Sequence, residues 1–173
     1  MASLRALNKA DLFKSLSDDQ LKAIAQIGQE KSFEPGEEIF KQEQKGKTLY
    51  VLLDGAVTLI FTVGTEAQEV TDLMVETLEE TGSVFGTSAL MNPYIYNVTA
   101  RCTKSTKVLA IDSVKFQEII RRDPLIGFEV MTKLAQLYFN RLNATRIAIT
   151  NLFKTFKFRT RKPRDPDSRS GSK

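Results

Sequence analysis

With 173 residues, 42% of them apolar and 27% charged, the chain carries enough apolar material for one sizeable core. It has no His and one Cys, Cys102, which excludes imidazole general-base catalysis, Ser-His-Asp triads, His/Cys zinc sites, haem ligation through His, clusters that need several thiolates, and paired disulfides. The formal charge of +4 is uneven: residues 154–173 hold eight bases and two acids, so residues 1–153 sum to −2 and offer no electrostatic footprint for nucleic acid.

In chain order, residues 1–28 predict an N-terminal helical segment with two short helices over 8–28. Leu12, Phe13 and Leu16 form an apolar cluster, and Ser17 with Gln20 three residues later reads as a capping box. Leu21, Ile24, Ala25 and Ile27 follow at helical spacing, and Gly28 ends the helix. The opening residues lack a continuous apolar run, and a lone Cys suits a reducing compartment, so a cytoplasmic protein without a membrane span is expected.

Over residues 29–124 the period changes. Short runs rich in Val, Ile, Thr, Tyr and Phe, among them TLYVLL, AVTLIFTV, YIYNVTA and TKVLAI, are punctuated by Pro35-Gly36, Asp54-Gly55, Gly64, Gly82 and Pro93. Asp54-Gly55 between two apolar runs predicts a hairpin. Many short strands without interleaved long helices predict a mainly β fold with flanking helices, an antiparallel jelly-roll barrel. Ser113 is expected to cap the next helix, which Asp123-Pro124 terminates. Residues 125–158 then predict one long amphipathic helix, with Val130, Met131, Leu134, Leu137, Tyr138, Leu142, Thr145, Ile149, Leu152 and Phe156 at spacings of three and four. Residues 159–173 read as a basic disordered tail.

Four segments, in order and spacing, carry a resemblance: Pro35–Phe40, Leu49–Val57, Phe85–Leu90, and Thr106–Asp112 followed by Phe116. Together they resemble the cyclic-nucleotide-binding domain, the sensor fold of the catabolite activator group and of kinase regulatory subunits. The likeness covers roughly residues 8–130. It implies that Gly86, Thr87, Ser88, Ala89 and Leu90 form the start of a phosphate-binding cassette, in which a glycine turn feeds a short helix whose backbone N–H groups face an anion. A strand-to-helix corner built on Gly86 is the competing reading. The resemblance also implies a Glu directly after the cassette Gly, for the ribose hydroxyl, and an Arg further on, for the phosphate. Here those positions hold Thr87 and Tyr96.

Tyr supplies one neutral hydrogen bond where the family pattern has a cation. Arg101, five residues on, is expected to point to the opposite face of its strand, and Asn97 and Thr99 are polar neighbours. Tyr94 and Tyr96 are expected on one face, as barrel filler in vacated ligand space or as flanks of a ligand ring. The possible ligands are cyclic AMP, cyclic GMP or another small anion, bound weakly, in altered fashion or not at all.

The resemblance also implies a dimer through the long helix. Leu134, Tyr138, Leu142, Ile149 and Leu152 are the candidate contacts, and a homodimer or a protein effector is the expected partner. Residues 154–173, short and mostly polar, are not expected to supply a helix-turn-helix core. The alternation of aromatics and cations in Phe153–Arg159 suits either a helix end or contact with nucleic acid or an anionic surface. Neighbouring carboxylates Glu37-Glu38 and Glu79-Glu80 diverge on strands and turns, and no catalytic or metal-ligating constellation is present. A non-enzymatic regulatory module is therefore expected, with a non-binding scaffold as the alternative and a nucleic-acid binder acting through the tail as a lesser one.

Overall fold

A computed structural model describes residues 2–64 and 71–155. Three helical pieces come first: α1 (Ala2–Lys9), a 3-10 turn (Asp11–Phe13) and α2 (Asp18–Ile27). Helix thus begins near residue 2 rather than residue 8, because Ala6 and Leu7 are fully buried and give the opening residues an apolar side to dock. The predicted capping box forms: the Gln20 N–H donates to Ser17 Oγ at 3.4 Å and the Ser17 N–H donates to Gln20 Oε1 at 2.9 Å.

The strands are β1 (Gly28–Phe33), β2 (Glu38–Phe40), β3 (Thr48–Asp54), β4 (Val57–Val63), β5 (Thr71–Leu78), β6 (Val84–Phe85), β7 (Thr99–Cys102) and β8 (Thr106–Asp112). They form two antiparallel four-stranded sheets, ordered β1-β8-β3-β6 and β2-β7-β4-β5, the jelly-roll architecture predicted above. Asp54-Gly55 does not join a hairpin. β3 pairs with β6 and β8 while β4 pairs with β5 and β7, so the turn carries the chain from one sheet to the other. The run YIYNVTA is likewise mostly irregular. Only Thr99 onward is strand, and Ile95 makes an isolated bridge to Lys45.

Between the sheets lies a core of Phe40, Tyr50, Leu52, Val57, Leu59, Leu78, Phe85, Ala89, Tyr96, Ala100, Cys102, Val108 and Ala110. Alternation on β3 and β8 is blurred because most positions on both strands are buried. Helix α3 (Ser113–Arg122) is capped by Asp112 rather than Ser113. The Asp112 carboxylate accepts from the N–H groups of Val114 and Lys115, each at 3.0 Å, so Ser113 is the first helical residue.

Helix α4 runs from Pro124 to Thr155. The chain divides into two compact units, residues 1–135 and 136–173, with the boundary inside α4. In the first unit Ile126, Val130 and Leu134 are buried on one stripe of α4, while Leu125, Phe128 and Met131 are exposed beside it. In the second, Phe139, Leu142, Ile147, Ile149, Leu152 and Phe153 are exposed and Tyr138 is half-buried. Residues 156–173, including Phe156 and the expected disordered tail, lie outside the described residues. No helix among the described residues is long and apolar enough to cross a membrane.

Candidate functional site

The site is built on the corner after β6. Gly86 adopts φ +71° and precedes a four-residue 3-10 turn, Thr87–Leu90. A side chain there would be strained by the left-handed backbone and would press on the Thr48 carbonyl, 3.0 Å from where a Cβ would sit. Thr87, Ala89 and Leu90 point into the protein and are buried, while Ser88 is half-buried. The Ala89 N–H is already used, donating to Gly86 O at 3.0 Å.

The loop between β2 and β3 closes over this corner. A Cβ on Gly46 would lie 3.2 Å from Ala89 N and 3.3 Å from the Tyr96 ring, so a side chain there would press on both, and glycine eases this close approach of the backbone. Three backbone hydrogen bonds fix the loop to the segment after the cassette: Gly46 N–H to Tyr94 O (2.7 Å), Tyr96 N–H to Gln44 O (2.9 Å) and Glu43 N–H to Tyr96 O (2.7 Å).

Tyr96 is the centre of the arrangement. It is 4% exposed, and its ring stacks on Phe40 with centroids 3.9 Å apart and planes inclined by 20°. Phe40 in turn stacks on Tyr50 and Phe85. The Tyr96 hydroxyl donates to Thr48 O at 2.7 Å and accepts from Thr48 N–H at 3.1 Å. Both polar functions of the phenol are thereby met by backbone of β3. Burial, reinforced by the neighbouring Tyr50, pushes the Tyr96 hydroxyl up to about 12, so it remains a neutral donor at ordinary pH.

The sequence-predicted residues separate on this frame. Gly86, Thr87, Ser88, Ala89 and Leu90 form one corner with Tyr96 behind it. Asn97 is exposed and meets Ser88 in a long hydrogen bond, Ser88 Oγ to Asn97 Oδ1 at 3.4 Å. Tyr94 is not beside Tyr96: it takes φ +59° and is 37% exposed, because the segment is a turn and does not alternate. Arg101 lies, as expected, on the face opposite the core residues Ala100 and Cys102, but it is paired rather than merely solvated. It pairs with Glu38 Oε1 at 2.9 Å, and Glu38 also meets Lys41 at 3.2 Å. Those two cations, Arg101 foremost through its hydrogen bond, hold the Glu38 carboxyl below its usual range. The positions that the resemblance assigns to a carboxylate and a guanidinium thus hold the buried neutral side chains of Thr87 and Tyr96. Among the described residues there is also no cluster of His, Cys, Asp and Glu that could hold a metal ion.

Of the candidate dimer contacts, Leu134 is 2% exposed within its own unit and leaves the list. Leu142, Ile149 and Leu152 are exposed and Tyr138 is half-buried. Sequence reasoning missed Gly46 and Thr48, which lock Tyr96 in place. Lys45-Gly46-Lys47 carries a faint turn signal, whereas the Thr48 contribution is backbone and leaves no trace in residue type.

The cyclic nucleotide-binding domain family model matches residues 30–123. Among solved structures, a protein of Geobacter metallireducens GS-15 assigned as cyclic nucleotide-binding is similar at 34% identity and a TM-score of 0.67, covering 82% of this chain and 99% of that one. The catabolite activator protein of Thermus thermophilus is similar at 25% identity and a TM-score of 0.67, covering 83% of this chain and 63% of that one. The cAMP-bound regulatory domain of Toxoplasma gondii PKA shares the fold, with a TM-score of 0.65 at 17% identity over 79% of this chain and 49% of that one. No curated protein sequence matches. With more than half of its length inside the family model and a one-third-identical structure matched almost end to end, the chain belongs to the cyclic nucleotide-binding domain family.

Proposed function

We propose that this chain is a non-enzymatic, cytoplasmic regulatory module in which the cyclic-nucleotide site is closed from within, so that cyclic AMP and cyclic GMP bind weakly or not at all. Output then passes through the C-terminal helix, by self-pairing or to a protein effector. One observation carries this reading: Tyr96 stands where the family pattern places the phosphate-binding arginine, with its ring stacked on Phe40 and its hydroxyl satisfied twice by Thr48. A ligand phosphate entering there would have to displace a buried aromatic ring and unmake two hydrogen bonds. In return it would gain no cation, whose charge-assisted bond is worth about 1.5–3 kcal/mol.

Isothermal titration of the full chain with each nucleotide tests it. The expected result is no saturable heat below millimolar ligand; tight saturable binding, in the low micromolar range or below, overturns it. A retained scaffold that binds no ligand is the limiting form of the same reading, favoured by the complete satisfaction of Tyr96.

A further inference from the structure

Two paired segments, residues 41–47 and 91–98, form a strap over the Gly86 corner. Backbone hydrogen bonds among Glu43, Gln44, Gly46, Tyr94 and Tyr96, with the bridge between Lys45 and Ile95, join them. Little else holds the strap down. Within the two segments only Gly46 and Tyr96 are buried, and Val98 is partly buried against the core. Glycine brings no side chain to the core, so the Tyr96 ring is the principal anchor. A segment held by one buried ring, with its backbone hydrogen bonds near solvent, belongs to the low-stability end of a fold. Backbone strain is concentrated in the same place. Among the described residues two non-glycine residues have positive φ, Glu43 at +68° and Tyr94 at +59°, one in each segment. Left-handed backbone is unfavourable for both residue types. Strain therefore pushes the strap toward opening, while the Tyr96 stack and phenol hold it shut.

Both ends of the first segment are pinned. At its start the Gln42 side-chain amide exchanges two hydrogen bonds with the Thr62 backbone, at 3.2 and 2.9 Å, and the Gln42 N–H donates to Thr99 Oγ1 at 3.0 Å. At its end the Lys47 carbonyl accepts from the Ser113 N–H at 2.9 Å, and Ser113 is the first residue of α3. Thr48, which receives the Tyr96 hydroxyl, pairs with Asp112, whose carboxylate caps α3. We propose that residues 43–47 and 94–96 open as one unit with Tyr96 as the catch, and that opening frees the Ser113 N–H from Lys47. The strap is then a two-state element that passes the condition of the cassette corner to the start of α3.

The strap rests on the closed-site reading for its role, but amide hydrogen exchange of the full chain, read by NMR without nucleotide, tests it separately from any titration. The N–H groups of Glu43, Gly46, Tyr96 and Ser113 are expected to share one protection factor within about threefold, with a shallower urea dependence than a core amide. That factor should lie about a hundredfold or more below that of Leu52, which is fully buried and donates to Ser83 O at 2.9 Å. Tyr96→Phe lowers all four together by about tenfold through the lost phenol hydrogen bonds. Glu43→Asn raises all four by about threefold, because Asn tolerates left-handed backbone, and it decides the matter if Tyr96→Phe unfolds. Protection factors scattered among the four, or equal to that of Leu52, overturn the proposal, as does a Glu43→Asn chain in which they are unchanged. A Ser113 N–H that exchanges with Leu52 while the other three move together overturns the link to α3.

Discussion

Tyr96 holds its site through one hydroxyl and one ring, and the two contributions separate experimentally. Tyr96→Phe keeps the stack on Phe40 and removes both hydroxyl contacts, leaving the Thr48 N–H and C=O to find other partners. A loss of about 1–3 kcal/mol in urea unfolding is expected, and a loss near zero would mean that water replaces the phenol. The pH dependence follows from the raised Tyr96 value. The folded protein holds the phenolic proton up to about 12, whereas the unfolded chain releases it near 10. Stability from this group is therefore complete below pH 10 and lost as pH rises from about 10 to 12. Tyr96→Phe should flatten that alkaline decline, read as the urea midpoint against pH. Counting from Gly86 in the sequence suffices to place Tyr96 at the arginine position. That its hydroxyl is satisfied by main chain is not legible, because the partner atoms belong to backbone that any residue at position 48 would present.

Among the elements, the joint between α3 and α4 is fixed by a single residue. The Asp123 N–H donates to Ile119 O at 2.9 Å as α3 ends, and its carboxylate accepts from Leu125 N–H at 3.1 Å as α4 begins. The other carboxylate oxygen accepts from Gln20 Nε2 at 2.7 Å. Gln20, which also completes the α2 capping box, thus ties the start of α2 to the start of α4. Gln20→Ala removes both ties and is expected to cost about 1–2 kcal/mol, with faster amide exchange at Leu125 and Ile126 as the local signature. Exchange accelerated only within α2 would show that the Asp123 contact carries no weight. Ser17 and Gln20 advertise the capping box in sequence, and Asp123-Pro124 advertises the break. The bond between Gln20 and Asp123 spans 103 positions and has no local signal. The same limit explains Asp54-Gly55: local residue types announce a turn, but whether the next strand pairs with the last or crosses to the other sheet depends on partners far along the chain.

For the molecule as a whole, the apolar positions of α4 read in sequence as one stripe are in fact two. Ile126, Val130 and Leu134 recur every four residues and are buried in the first unit. Phe128, Met131, Ala135, Tyr138, Leu142, Thr145, Ile149 and Leu152 recur at alternating intervals of three and four, and every one except Tyr138, which is half-buried, is exposed. Burial distinguishes them, since both sets are mainly apolar and overlap in sequence. Alternating three and four is the seam of a two-stranded coiled coil, and a single chain leaves it in water. A standard interface buries about 800 Å² on each partner, a demand that a seam of seven exposed positions and the half-buried Tyr138, along a helix of 32 residues, is long enough to approach. Dimerisation is therefore expected to reside in the seam and barrel stability elsewhere. Leu142→Glu together with Ile149→Glu should convert a sedimenting dimer to monomer while leaving the barrel's unfolding free energy within about 0.5 kcal/mol of the original at matched protomer concentration. Leu134→Ala should do the reverse, keeping the seam but costing about 2–5 kcal/mol through the cavity it opens in the first unit. A dimer that survives the paired glutamates, or dissociates on Leu134→Ala without loss of barrel stability, would place the interface on the buried stripe rather than the exposed one.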